Sequence, residues 1–144
     1  MRRLLGAAAV ILVADQLTKF LIRTVIAPGG RIAIAGDGLG IVHLTNTGAA
    51  FGMLNGWNIT LMAIAILAAA AIIIWHKNLA PRKGGDLLCG VILGGVLGNL
   101  VDRLALGAVT DFIQVSAWPP FNIADSALTL GVIVLLYESF RKGK

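Results

Sequence analysis

Residues 57–75 read WNITLMAIAILAAAAIIIW, a run with no charged residue and a tryptophan at each end. The hydrocarbon core of a bilayer takes roughly 20 apolar helical residues to cross. Indole rings, apolar but carrying one N–H, favour the headgroup level. The stretch therefore reads as a membrane-spanning helix over 57–76.

The flanking chain repeats the pattern three times. The run over 4–26 follows Arg2 and Arg3 and is interrupted by Asp15, Lys19 and Arg23. It begins like a secretory signal, but no A-x-A cleavage site follows and the apolar residues resume through Phe20 to Ile26, so it is expected to be retained as a span. The run over 87–106 carries Gly90, Gly94 and Gly98 four apart, a stripe that lets another helix approach closely. The run over 123–140 has Asp125 and Ser126 near its start. Across 144 residues the chain is 58% hydrophobic and 13% charged, with a mean hydropathy of +0.88, more apolar surface than a small soluble domain can bury.

The expected architecture is an all-α polytopic membrane protein, one membrane-embedded domain over 1–144, with four transmembrane helices and a small extracytoplasmic β-rich segment. Alternation over Arg31–Ile34 and Ile41–Leu44 places short strands in the outer segment 27–56, and an outer loop spans 107–122. Arg2, Arg3, Lys77, Arg82, Lys83, Arg141, Lys142 and Lys144 fall on one side, whereas the opposite loops carry Arg31 alone, with Arg23 and Arg103 near span ends. By the positive-inside rule both termini are cytoplasmic.

Other classes fit poorly. Cys89 is the sole cysteine, which excludes an internal disulfide and a cysteine-based zinc site. His43 and His76 are too far apart for a helical metal pair. The net charge of +5 is not arranged with aromatics on a polar face, so nucleic acid is not expected as a partner.

An ionisable group inside a span costs about 2.5–3.5 kcal/mol on insertion scales and calls for a partner or a role. Asp15 and Lys19, four apart, share a face and either neutralise each other or orient a site. Asn99 and Asp102 share a face of the third span, with Asp102 anchored by Arg103 and Arg103 reaching the interface. Asp111 lies just past that span, and Asp125 opens the fourth after the Pro119–Pro120 turn, with Asn122 three residues before it. The chain reverses between them, so the two carboxyls can meet at one depth. Two acids at close range in a low dielectric do not both ionise easily, which leaves one general base and one general acid to activate a water against a peptide carbonyl. The residues alone leave Asp102 open as the second acid. They also leave open a proton relay through the intramembrane acids, or a scaffold built on the glycine stripe.

Five blocks occur in order along the chain: Asp15-Gln16-Leu17-Thr18-Lys19, Asn46-Thr47-Gly48-Ala49-Ala50-Phe51, Gly98-Asn99-Leu100-Val101-Asp102-Arg103, Val109-Thr110-Asp111-Phe112 and Phe121-Asn122-Ile123-Ala124-Asp125. Together they resemble the lipoprotein signal peptidases, also called type II signal peptidases. The resemblance implies a bacterial inner-membrane aspartyl endopeptidase that removes the signal peptide from diacylglyceryl-modified prolipoproteins just before the lipidated cysteine, without a cofactor. It implies catalytic Asp111 and Asp125, with Asp15, Lys19, Asn46, Gly48, Asn99, Asp102, Arg103, Asn122 and Ala124 shaping or supporting the site. It further implies inhibition by the cyclic peptide globomycin, contact with membrane lipid, action as a monomer and an active site near the extracytoplasmic face. The chain departs from the family pattern in having Thr110 where valine is usual, and in a short stretch between Asp111 and Asp125.

Overall fold

The computed structural model describes residues 1–36, 38–48, 57–81 and 83–141. Ala49, Ala50 and Phe51 of the second block and the cations Arg82, Lys142 and Lys144 lie outside the described residues.

Four helices are long and apolar enough to cross a membrane: α1 (Arg2–Val25), α2 (Asn58–Leu79), α3 (Gly85–Leu106) and α4 (Ile123–Phe140). Three strands, β1 (Arg31–Ala35), β2 (Leu39–Asn46) and β3 (Val109–Val115), form an antiparallel sheet in the order β1-β2-β3. The sheet sits where α1 and α3 end and α4 begins. At the opposite end the amino terminus lies 3.4 Å from Asp86 in the first turn of α3, and the chain ends that meet there carry Arg2, Arg3, Lys77, Lys83 and Arg141.

Helix α3 is the axis of the bundle. In its most apolar 18-residue window 61% of residues are buried, against 17% for each of the other helices, and α1, α2 and α4 all pack against it. Leu4, Ala8, Ala69, Ile72, Leu93 and Val96 form its apolar core. Glycine makes the approach possible: a Cβ on Gly94 would come within 2.7 Å of the Ala8 carbonyl oxygen of α1. The outward faces of α1, α2 and α4 expose Val10, Ile59, Leu67, Ile74 and Leu130, a surface that suits lipid and not water.

The strand β3 was not expected in the outer loop. Its run Val-Thr-Asp-Phe-Ile-Gln-Val is rich in β-branched and aromatic residues and pairs with β2, placing Leu44 opposite Asp111 and Asn46 opposite Val109. Beyond it the chain folds back, with Phe121 exchanging backbone hydrogen bonds with Ile113, and then enters α4. That helix begins with a capping box: Asn122 Oδ1 accepts from Asp125 N at 2.8 Å, and Asp125 Oδ2 accepts from Asn122 N at 3.2 Å.

Candidate active site

Strand β3 and the capping box of α4 bring Asp111 and Asp125 to one polar cluster. Asn122 joins them directly, because its Nδ2 donates to Asp111 Oδ1 at 2.7 Å while its backbone N–H donates to Asp125 Oδ2. The remaining carboxyl oxygens are also held. Asn46 Nδ2, on β2, donates to Asp111 Oδ2 at 2.9 Å, and Asn99 Nδ2, on α3, donates to Asp125 Oδ1 at 2.7 Å. The amide orientations are fixed by their other partners, since Asn46 Oδ1 accepts from Gly48 N and Asn99 Oδ1 accepts from Lys19 Nζ, both at 3.0 Å.

Asp111 is almost fully buried, at 4% exposure. Burial pushes its carboxyl up to about 6; the hydrogen bonds from Asn46 and Asn122 and the charge of Lys19 oppose that rise, and the charge of Asp125 adds to it.

Behind this cluster lies a buried charge network. Lys19 Nζ is 2.8 Å from Asp15 Oδ2 and 3.4 Å from Asp102 Oδ2, with all three side chains essentially inaccessible. Asp15 Oδ1 accepts from Ala124 N at 2.9 Å, tying α1 to the first turn of α4, and Gly98 leaves room for that contact. Asp102 is not anchored by Arg103. Adjacent helical residues point about 100° apart, and Asp102 turns inward to Lys19, to Arg23 Nη1 at 3.6 Å and to Thr110 N at 2.9 Å. Arg103 instead donates to the Gly48 carbonyl at 3.2 Å, close enough to Asp102 to feel its charge but not paired with it among the described residues.

Three further members had a sequence signal that was not used. Arg23 continues the Asp15, Lys19 spacing of four along one face of α1, and it donates to Thr110 Oγ1 at 3.0 Å. Thr110, the departure from the usual valine, thus gains a partner. Gln16 Nε2 reaches Asp15 Oδ2, the Gly98 carbonyl and Asp102 Oδ1 at 3.0–3.2 Å.

The two carboxyls line the polar end of a cavity of about 1060 Å³. Leu61, Ile64 and Ala65 of α2 form one wall and Leu128 and Leu130 of α4 the other. Helices α2 and α4 each pack on α3 but scarcely on each other, which leaves the cleft between them.

Residues 7–141 match the family model of signal peptidase (SPase) II. A lipoprotein signal peptidase of Dehalococcoides mccartyi is 45% identical over 138 residues, covering 91% of this chain and 86% of that protein. One from Moorella thermoacetica is 38% identical over 132 residues, covering 91% and 88%. A solved bacterial membrane enzyme superposes with a TM-score of 0.89 at 31% identity, covering 99% of this chain and 89% of the other. A family match over residues 7–141, relatives up to 45% identical over most of their length and the same overall fold mean that this chain, a multi-pass bacterial membrane protein, belongs to the signal peptidase II family.

Proposed function

We propose that this protein is a membrane aspartyl endopeptidase that cleaves the signal peptide from diacylglyceryl-modified prolipoproteins just before the lipidated cysteine, with Asp111 and Asp125 activating water. The observation that carries the reading is the convergence of these two carboxyls, both fixed by amide donors, at the polar end of a deep apolar cavity. The names of the relatives, lipoprotein signal peptidases, support the substrate class.

Two carboxyls held in one polar cluster support acid–base hydrolysis. One carboxylate takes a proton from a water as its oxygen attacks the scissile carbonyl. The other, protonated, donates to the developing oxyanion and then protonates the leaving amine as the C–N bond breaks. The α2–α4 cleft admits an apolar signal helix from the side, and its leucine, isoleucine and alanine walls accept the acyl chains of the lipidated residue. Asp15, Lys19, Asn99, Asp102, Asn122 and Ala124 hold the two acids in place, and Asn46, Gly48 and Arg103 border the position of the substrate backbone. A peptide inhibitor such as globomycin would compete for the same cavity.

The cations at the end opposite the sheet favour cytoplasmic termini and an extracytoplasmic site. The cell inner membrane is the corresponding location, and one chain carries all the groups required, so a monomer suffices.

The test is hydrolysis of a lipid-modified prolipoprotein by purified protein, with the product's new N-terminus identified by mass spectrometry. Asp111→Asn and Asp125→Asn should each lose about 10² to 10⁴-fold in rate. Full activity of either variant would remove the dyad, and cleavage of an unlipidated precursor at the same rate would remove the substrate assignment.

A further inference from the structure

The two acids are held alike at first sight, with one donor on each oxygen, yet their donors differ in kind. Asp111 accepts from two neutral side-chain amides, those of Asn46 and Asn122. Asp125, itself in the first turn of α4 where the helix dipole favours a negative charge, accepts from the backbone N–H of the N-cap Asn122 and from the amide of Asn99. Lys19 has donors only, so Asn99 must turn its oxygen to Lys19 and its NH2 to Asp125. The ammonium polarises that amide, and hydrogen bonds in such a chain reinforce one another. A buried cation therefore acts on Asp125 through an intervening side chain.

We propose that Lys19, relayed by Asn99, fixes the division of labour in the dyad: Asp125 is the ionised base that takes the proton from water, and Asp111 holds the proton that it gives to the leaving amine. The inference rests on the dyad reading above. In the first step the water O–H bond breaks, its proton passes to Asp125, and the oxygen bonds to the carbonyl carbon as the C=O π pair moves onto the carbonyl oxygen, where it accepts a hydrogen bond from Asp111. In the second the oxyanion's electron pair re-forms the C=O bond, the C–N bond breaks as Asp111 passes its proton to nitrogen, and the proton on Asp125 then passes to Asp111, which restores the starting state. Lys19 touches no reacting atom and is a positioning residue. The direct charge of Lys19 reaches both acids and Arg103 lies beside both, so neither distinguishes them; Asp15, whose charge also reaches Asp125, is paired with Lys19, and Arg23 is paired with Asp102, which leaves the relay through Asn99 as the contact particular to Asp125.

The test is the pH profile of kcat/KM on a lipid-modified prolipoprotein, whose acid limb reports loss of the base and whose alkaline limb reports loss of the acid. Lys19→Met combined with Asp15→Asn removes the buried pair together and keeps an acceptor for Ala124 N–H. Asn99→Ala leaves the Lys19–Asp15 pair intact and breaks the relay, together with the 3.2 Å contact from Asn122 Nδ2 to Asn99 Oδ1, while the Asn122 bond to Asp111 remains, so it covers the case in which the double variant fails to fold. Either variant should move the acid limb upward by about one pH unit, equivalent to about 1.4 kcal/mol, and leave the alkaline limb in place. Movement of the alkaline limb alone would reverse the roles, and a uniform fall with neither limb moved would reduce Lys19 to a structural part. Infrared spectra supply a second readout: the band of a protonated carboxyl should vanish in Asp111→Asn and persist in Asp125→Asn. Retained cleavage by those two variants would instead refute the dyad itself, which keeps the two failures distinct.

Discussion

Replacing Asp111 by asparagine should stabilise the fold progressively more as pH rises. The carboxyl sits near 6 in the folded protein against an ordinary value of 3.8. Between those values the folded chain holds a proton that the unfolded chain has released, so the wild type loses stability with rising pH at about 1.4 kcal/mol per unit. Across the interval from 3.8 to about 6 the loss is on the order of 3 kcal/mol, fully absent below 3.8 and complete above 6. An asparagine cannot ionise and escapes this loss. It introduces a second effect, because its NH2 must face the NH2 of Asn46 or Asn122, at a cost of about 1–3 kcal/mol for the unsatisfied donor. That cost does not depend on pH and cancels when the variant-minus-wild-type difference at pH 7.5 is compared with that at pH 3.5. Denaturant titration in detergent, followed by the fluorescence of Trp57, Trp75 and Trp118, measures the difference. A flat difference, or one that falls with pH, would refute the argument that burial outweighs the hydrogen bonds at Asp111.

Asn122→Ala should lose the α4 cap, at about 1 kcal/mol, together with activity, whereas Asn122→Asp should keep the cap and still lose activity because it sets a carboxylate against Asp111; thermal melts and cleavage rates separate the two. Gly98→Ala places a methyl 2.6 Å from Asp15 Oδ2 and 3.0 Å from Ala124 Cβ and should cost about 1–3 kcal/mol, while Gly6→Ala, with nothing within 4 Å, should be neutral or mildly stabilising in the same unfolding measurement. Ala65→Trp fills the α2–α4 cleft and should raise KM for the lipidated substrate about tenfold with little change in kcat, a signature of lost uniform binding. Ala63→Trp, on the exposed face, should leave both constants unchanged.

The spans were legible because lipid leaves the backbone no alternative to a helix and because the apolar runs are long enough to stand out despite the few charges within them. The role of Gly98 was legible only in part: the stripe signals close approach, but Gly90 and Gly94 face α1 whereas Gly98 faces both Asp15 and Ala124. What the chain does not write locally is pairing. Asn46 meets Asp111 because β2 and β3 align as they do, and that register depends on residues 65 positions apart. Asp102 shares its helix with Arg103 but takes partners on α1, since helix direction at each position decides which neighbouring element a side chain meets. The strand β3 had a propensity signal in Val109–Val115, masked by its place in a short connection between two spans.

The polar cluster also balances as a whole. Among the described residues around the site the cations are Lys19, Arg23 and Arg103, and the acids are Asp15, Asp102, Asp111 and Asp125. If every acid ionised, the cluster would carry one surplus negative charge in a region walled by the apolar helices α1, α3 and α4. An uncompensated charge there is far more costly than a proton, so the cluster is neutral when one carboxyl stays protonated. Lys19 lies between Asp15 and Asp102 and Arg23 lies beside Asp102, so these two acids are matched in number by the two cations that contact them. On the proposed dyad reading the remaining proton falls to Asp111 and Asp125, the state that an acid–base pair requires before substrate arrives. On that reading the buried pairs on α1 and α3 do more than anchor helices: by matching one another's charges, they leave the two acids one proton to share.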